Sequence, residues 1–275
     1  MNETGVKTPA QITADWPDLE FIEKIKPANI ASHSFSSQYG YLCYIALYKF
    51  AATFCEAKTV LDAACGLGFG SYLLAHKAAQ VTGVEIVAQV IDYARSNYKK
   101  DNMQFIHADA TSLDFADHSF DLVVSLETFE HIPRDKAGKF LNELQRVLKP
   151  GGILVLSTPN HDVYSKISQT PDHVNELNVD ELESLLTQYF ADCQPYYQRK
   201  GVLQTTGKYY AFVSKDRLKL RRFIPNRLRN LIRRFTAPQL QKNPQEILQE
   251  VQVHRAVNKD DVKNAVVQIW VCSKK

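Results

Sequence analysis

Thr59-Val60-Leu61-Asp62-Ala63-Ala64-Cys65-Gly66-Leu67-Gly68-Phe69-Gly70-Ser71 is the stretch that decides how this chain folds. Val60, Leu61 and Ala63 form an apolar run of strand length. Three alternating glycines then lead into a segment where Tyr72, Leu73 and Ala75 recur at helical spacing. Glycine accepts positive φ and lets the backbone approach a ligand with no Cβ in the way. The start of a helix adds unpaired N–H groups. The stretch therefore predicts strand, tight turn and a helix from Phe69 to Ala79, with a cradle for a polar ligand at Gly66, Gly68 and Gly70. The same glycines also fit a plain strand-to-helix turn that binds nothing.

Context narrows the choice. Gln80 to Glu85 reads as a second strand ending on an acid about 20 residues past the turn, the distance at which a βαβ unit sets a carboxylate against a ribose diol. Dinucleotides and S-adenosylmethionine both offer such a diol. A dinucleotide turn reads G-x-G-x-x-G and meets a pyrophosphate at the helix start. Here the glycines run G-x-G-x-G, and Asp62 precedes Gly66 by four positions. An acid beside the ligand suits an ammonium and a sulfonium and repels a pyrophosphate.

At Asp62-Ala-Ala-Cys-Gly66-Leu-Gly68-Phe-Gly70 the chain resembles the class I S-adenosylmethionine-dependent methyltransferases. The resemblance implies a doubly wound, Rossmann-like α/β fold. Its sheet has seven mostly parallel strands in the order 3-2-1-4-5-7-6, the last antiparallel, with helices ahead of the first strand. It also implies a cofactor site at Asp62, Gly66, Gly68, Gly70, Glu85 and the adjacent Ile86. Asp109 and Ala110, after a third strand Met103–His107, are then placed to read the adenine, although Asp109 equally suits a turn cap. Phe120 to Ser125 is a fourth strand. Leu126 and Glu127 leave it at the same sheet edge, and Glu130-His131 matches the family's fourth motif. His131 has the chemistry to receive a proton, while Glu130 reads better as a brace for the loop.

Composition sets outer limits. The 275 residues fit one enlarged α/β domain, and the net charge of +3 with 23% charged residues gives no call for nucleic acid. Five scattered cysteines (Cys43, Cys55, Cys65, Cys193, Cys272) form no C-x-x-C pair and read as reduced thiols of a cytoplasmic protein. No signal peptide and no apolar run of membrane-spanning length is evident. Cysteine and histidine spacing predicts no metal site.

The remaining chain divides around the core of 56–199 and 263–275. Residues 1–55 read as a loose arm followed by lid helices, one from about Asp15 to Lys26 and one from Tyr39 to Phe54. Lys136–Leu148 is a helix that stops at Lys149-Pro150-Gly151-Gly152, and Ile153–Ser157 is strand five. The polar loop from Asn160 to Glu176 carries His173 in the pattern His-Val-x-Glu ahead of a helix. That pattern is similar to sugar, polysaccharide and natural-product tailoring methyltransferases. His173 is the preferred base for a hydroxyl acceptor, with Glu176 orienting it; a loop-bracing role is the alternative. Strand six is expected at 194–199 and the last strand at 265–272. Residues 200–262 form a long insert whose basic, amphipathic stretch 215–235 suits an anionic membrane face or a phosphate-bearing acceptor such as a lipid-linked glycan, or packs on the enzyme itself. The expected activity is methyl transfer from S-adenosylmethionine to a small-molecule or glycan hydroxyl. The alternatives are an NAD(P)-dependent oxidoreductase and a non-catalytic cofactor-binding scaffold.

Overall fold

The computed structural model describes residues 35–168, 170–198 and 244–275. Five strands run parallel: β1 (Thr59–Ala63), β2 (Gln80–Glu85), β3 (Met103–His107), β4 (Phe120–Leu126) and β5 (Leu148–Pro159). Their side chains alternate between two apolar layers, as a sheet covered on both faces requires. Val60, Leu122, Val124 and Val155 join the layer under helix α1 (Phe35–Ala52). Leu61, Val123, Leu154 and Leu156 join the opposite layer with Phe140 and Leu144, which lie on the helix Arg134–Val147. The residues of α1 are apolar nearly all round because both sides of it are covered; Tyr41, Leu42, Ile45, Leu47 and Tyr48 are all buried.

Helix α2 (Phe69–Leu74) joins β1 to β2, and α3 (Ala88–Asn97) joins β2 to β3. The Arg134–Val147 helix, α4, joins β4 to β5. After β5 come the short α5 (His161–Tyr164), α6 (Val179–Tyr189), β6 (Phe190–Gln198), α7 (Pro244–Glu250), β7 (Val253–Arg255), α8 (Lys259–Lys263) and β8 (Val267–Lys274). Helix α6 begins on a capping box in which Asn178 and Glu181 satisfy each other's backbone N–H. The sheet order is β3-β2-β1-β4-β5-β8-β6-β7, with β8 antiparallel to both β5 and β6. The expected sheet is thus present with an additional edge strand, β7, drawn from the stretch read as an insert. Three residues are too few to show a period of two in the sequence.

One expectation is corrected. Cys193 and Cys272 form a disulfide, so only Cys43, Cys55 and Cys65 remain free thiols. A bulge makes the pairing: the register shifts between Ala191 and Gln194, and Asp192 takes φ 42°, which brings Cys193 opposite Cys272. The helix expected at 15–26 and the basic stretch 215–235 lie outside the described residues. Among the described residues no helix is long and apolar enough to cross a membrane.

The register also sets the floor of the site. Pro159 pairs with Val267, which pairs with Gln198, so the ends of three strands meet at one edge. Asn160 anchors this edge, because its Nδ2 reaches the carbonyls of Val262, Lys263 and Ala265 at 3.3, 3.0 and 3.1 Å. Asn160→Ala leaves those buried acceptors without their donor. It should lower unfolding stability by about 2–3 kcal/mol in urea denaturation, and an unchanged midpoint would show that the anchor carries no load.

Candidate cofactor cleft and acceptor pocket

The glycine turn closes over a buried acid. Asp62 has no exposed surface, and its carboxylate accepts from Ser71 Oγ at 2.6 Å and from the Tyr48 hydroxyl at 3.3 Å. Burial, opposed by those two hydroxyls, pushes its carboxyl up to about 7. Gly68 holds φ 86° at the start of α2. A Cβ on Gly70 would overlap the Tyr48 ring, so this glycine is what lets α1 come down onto the turn.

Beside the turn, Glu85 accepts from the N–H groups of Gly66 at 3.2 Å and Val87 at 3.0 Å. Ile86 next to it is 58% exposed, an apolar side chain left facing solvent at the sheet edge. Asp109 is half-buried at the end of β3, with Ala110 buried behind it. Burial works against the charged form of Asp109, but hydrogen bonds from Thr111 and the charges of Lys136 and Lys139 outweigh it and hold the carboxyl below its usual value. Space is open above Gly66, where an added Cβ would meet nothing within 4 Å. Carboxylate, exposed apolar side chain and second carboxylate in a row fit a nucleoside: Glu85 for the ribose, Ile86 against the base, and Asp109 for an exocyclic amine.

The second half of the site grows from the ends of β4 and β5. Glu127 takes φ 52° and accepts from Ser157 Oγ at 2.9 Å, with Leu126 buried just before it. Glu130 is buried and accepts from Thr158 Oγ1 at 2.8 Å. Its backbone carbonyl receives the N–H groups of Val174 and Asn175, which ties the later loop to the one that follows β4. Burial first, and then Glu127, push the Glu130 carboxyl well above its usual value. Exposed His131 makes a 3.0 Å bond through Nδ1 to the Asp172 carbonyl. His173 Nδ1 lies 2.7 Å from Glu176 Oε1, while the other oxygen of Glu176 is 3.3 Å from His161 Nδ1. Tyr164 stacks on His173, and the His131 ring meets His173 edge-on at 4.9 Å. Glu127, Glu130, His131, His173, Tyr44 and Tyr164 line one cavity of about 170 Å³, floored by Pro159, Val267 and Gln198.

The structure therefore brings Asp62, Gly66, Gly68, Gly70, Glu85 and Ile86 to one turn, sets Asp109 and Ala110 at the next strand end, and places Glu127 on one cavity with both predicted histidines, while Leu126 is buried at the end of β4. Tyr48, Ser71, Thr158, Tyr164 and Gln198 complete the site but carry no local sign in the sequence. Glu130, His131 and His173 also converge, with ligand-capable atoms all within 4.8 Å of one another, although their spacing along the chain gave no hint of it.

Residues 61–156, which span the turn, both carboxylates and the end of β4, match the methyltransferase domain family. Over these residues the chain is similar to a methyltransferase domain. A probable S-adenosylmethionine-dependent methyltransferase of Mycobacterium tuberculosis is 38% identical over 143 residues, 51% of each chain. The ubiquinone biosynthesis O-methyltransferase of Idiomarina loihiensis is 39% identical over 111 residues, 39% of this chain and 45% of that one. This chain thus spans about half the length of the curated relatives it matches. Among solved structures, a possible histamine N-methyltransferase of Thermotoga maritima superposes with a TM-score of 0.57 at 15% identity, covering 87% of this chain and 95% of that one. A cyclase superposes at 0.54 with 16% identity, covering 85% and 81%. These likenesses establish the fold. The glycine turn, Glu85, Asp109 and Glu127 all fall within the stretch that matches the methyltransferase domain.

Two outcomes test this geometry. Gly70→Ala should displace Tyr48, cost about 1–3 kcal/mol in denaturant unfolding and weaken S-adenosylhomocysteine binding in calorimetry. Asp62 is harder to ionise folded than unfolded, so its contribution to stability is complete below the ordinary carboxylate range and is lost as pH rises towards about 7. Asp62→Asn should therefore melt higher than the parent at pH 8 without ligand, and the gap should close near pH 4. A constant gap across that window would refute the buried, hard-to-charge state.

Proposed function

We propose that the whole chain transfers the methyl group of S-adenosylmethionine to a hydroxyl oxygen of a small-molecule or glycan acceptor. The observation that carries this reading is His173 on the wall of the pocket, with its Nδ1 held by Glu176. A sulfonium is already a good leaving group, so the protein has to align the acceptor with the methyl and take up its proton. Glu176 engages Nδ1 of His173, which leaves Nε2 as the nitrogen that receives the proton, and stacking on Tyr164 holds the ring. His131, edge-on to the same ring, is the second candidate base.

The names of two relatives support oxygen as the acceptor atom: a fatty-acid O-methyltransferase of Mycolicibacterium smegmatis and the ubiquinone biosynthesis O-methyltransferase. The sugar, polysaccharide and natural-product subset rests on His173-Val174-Asn175-Glu176 running into a capped helix. The basic, amphipathic stretch 215–235, outside the described residues, supports a lipid-linked acceptor met at the inner face of a membrane.

Calorimetry with S-adenosylhomocysteine on the full chain should give saturable binding, and NADH should give none. Against a panel of activated sugars and quinone precursors, His173→Ala should lower kcat by about 10²–10⁴ while leaving S-adenosylhomocysteine affinity within about twofold. Cofactor binding with no turnover on any acceptor would instead favour a scaffold that holds the nucleoside without transferring from it.

A further inference from the structure

We propose that Glu130, His131 and His173 hold a divalent transition-metal ion at the wall of the acceptor pocket. Each offers one ligand atom, and the three atoms lie within 4.8 Å of one another. Two imidazoles and a carboxylate on one side of an ion, with positions open on the other, form a ligand set used for manganese, iron, cobalt and zinc.

The surroundings of the three groups are those of a built site. A ligating imidazole is normally fixed by its other nitrogen, which donates to a carboxylate or a backbone carbonyl. Both arrangements occur here: His173 Nδ1 with Glu176 Oε1 at 2.7 Å, and His131 Nδ1 with the Asp172 carbonyl at 3.0 Å. These bonds place the proton on Nδ1 of each ring and leave the lone pair on Nε2. Glu130 is oriented the same way, with Oε2 accepting from Thr158 Oγ1. Its backbone carbonyl ties the loop that carries His173 to the loop that carries His131, through the N–H groups of Val174 and Asn175. The ligands from the two loops are therefore held in register, although residues 131 and 173 are far apart in sequence.

An independent observation lies across the pocket. Gln198 is fully buried and its Nε2 is spent on the carbonyls of Cys43 at 3.1 Å and Val251 at 2.6 Å. Its Oε1 has no hydrogen-bond partner among the described residues, and the side chain lines the same cavity. A buried carbonyl oxygen without a donor is costly. Because Gln198 lines the cavity, the donor assigned to it here is a metal-bound water or an acceptor hydroxyl.

This inference goes beyond the acceptor reading and does not depend on it. It does compete with one part of that reading, because an Nε2 that ligates an ion is closed to a proton. With the ion bound, His173 positions an oxygen through the metal and does not act as the base itself.

Tag-free full chain, stripped with chelator and dialysed, should be titrated with Mn²⁺ by electron paramagnetic resonance and with Co²⁺ by visible absorption. We expect one saturable site per chain and a Co²⁺ spectrum showing nitrogen ligation. His131→Ala and His173→Ala should each weaken binding at least tenfold, and Glu176→Gln about tenfold through the loss of the orienting bond. His131 is exposed, so its variant should keep the parental melting temperature; if a variant unfolds, the Co²⁺ spectrum of the parent decides. No saturable binding, binding unchanged in the two histidine variants, or a Co²⁺ spectrum without nitrogen ligands would each overturn the proposal. S-adenosylhomocysteine binding measured on the same samples separates the claims: a chain that binds the nucleoside and no metal leaves the methyl-transfer reading standing.

Discussion

The carboxylate of Asp62, cut off from water and gripped by two hydroxyls, is the interaction on which the site depends. Ser71 reaches it from the first turn of α2, and Tyr48 from the helix that precedes the sheet. One acidic side chain thereby ties together strand, turn and covering helix. Removing such a group from solvent is expensive for its charged form, and the two hydroxyls offset only part of that cost. Because Tyr48 must pass over Gly70 to make its bond, the third glycine is needed for contact with the protein's own helix as much as for contact with a ligand.

From that knot the site divides along the sheet edge. The ends of β2 and β3 present Glu85, Ile86 and Asp109, two carboxylates flanking an apolar side chain, which is what a nucleoside needs. The segment after β4 and the loop after β5 present carboxylates and imidazoles, α1 and α5 add Tyr44 and Tyr164, and the ends of β5, β8 and β6 floor the cavity with Pro159, Val267 and Gln198. Ser157 and Thr158 are adjacent on β5, and they hold Glu127 and Glu130 respectively. The two acids that leave β4 are therefore fixed by the neighbouring strand, and loop flexibility has little part in setting where they sit.

How much of this could be read in advance follows from the range of the interactions. The parallel strands were legible because burial on both faces writes a continuous apolar run, as in Leu122-Val123-Val124. The glycine turn was legible because its backbone needs are local. So was the pairing of His173 with Glu176, three residues apart at the mouth of a helix. Tyr48 was not, since a tyrosine within an apolar helix shows no sign of the acid 14 residues on that its hydroxyl will meet. The meeting of His131 with His173 depends on Glu130's carbonyl capturing the later loop. The Cys193–Cys272 bridge, 79 residues apart, depends on a bulge that shifts the register by a residue. Both are products of pairing across the fold, which spacing along the chain does not encode.

The antiparallel placement of β8 has a consequence for how the site is assembled. By filling the slot next to β5, it brings Val267 and, through its pairing with β6, Gln198 to the rim of the cavity. That rim is built by β5, β8 and β6, whereas Asp62, Glu85 and Asp109 all come from the chain before β4. A substitution in the C-terminal strand can therefore reshape the cavity and leave the glycine turn untouched.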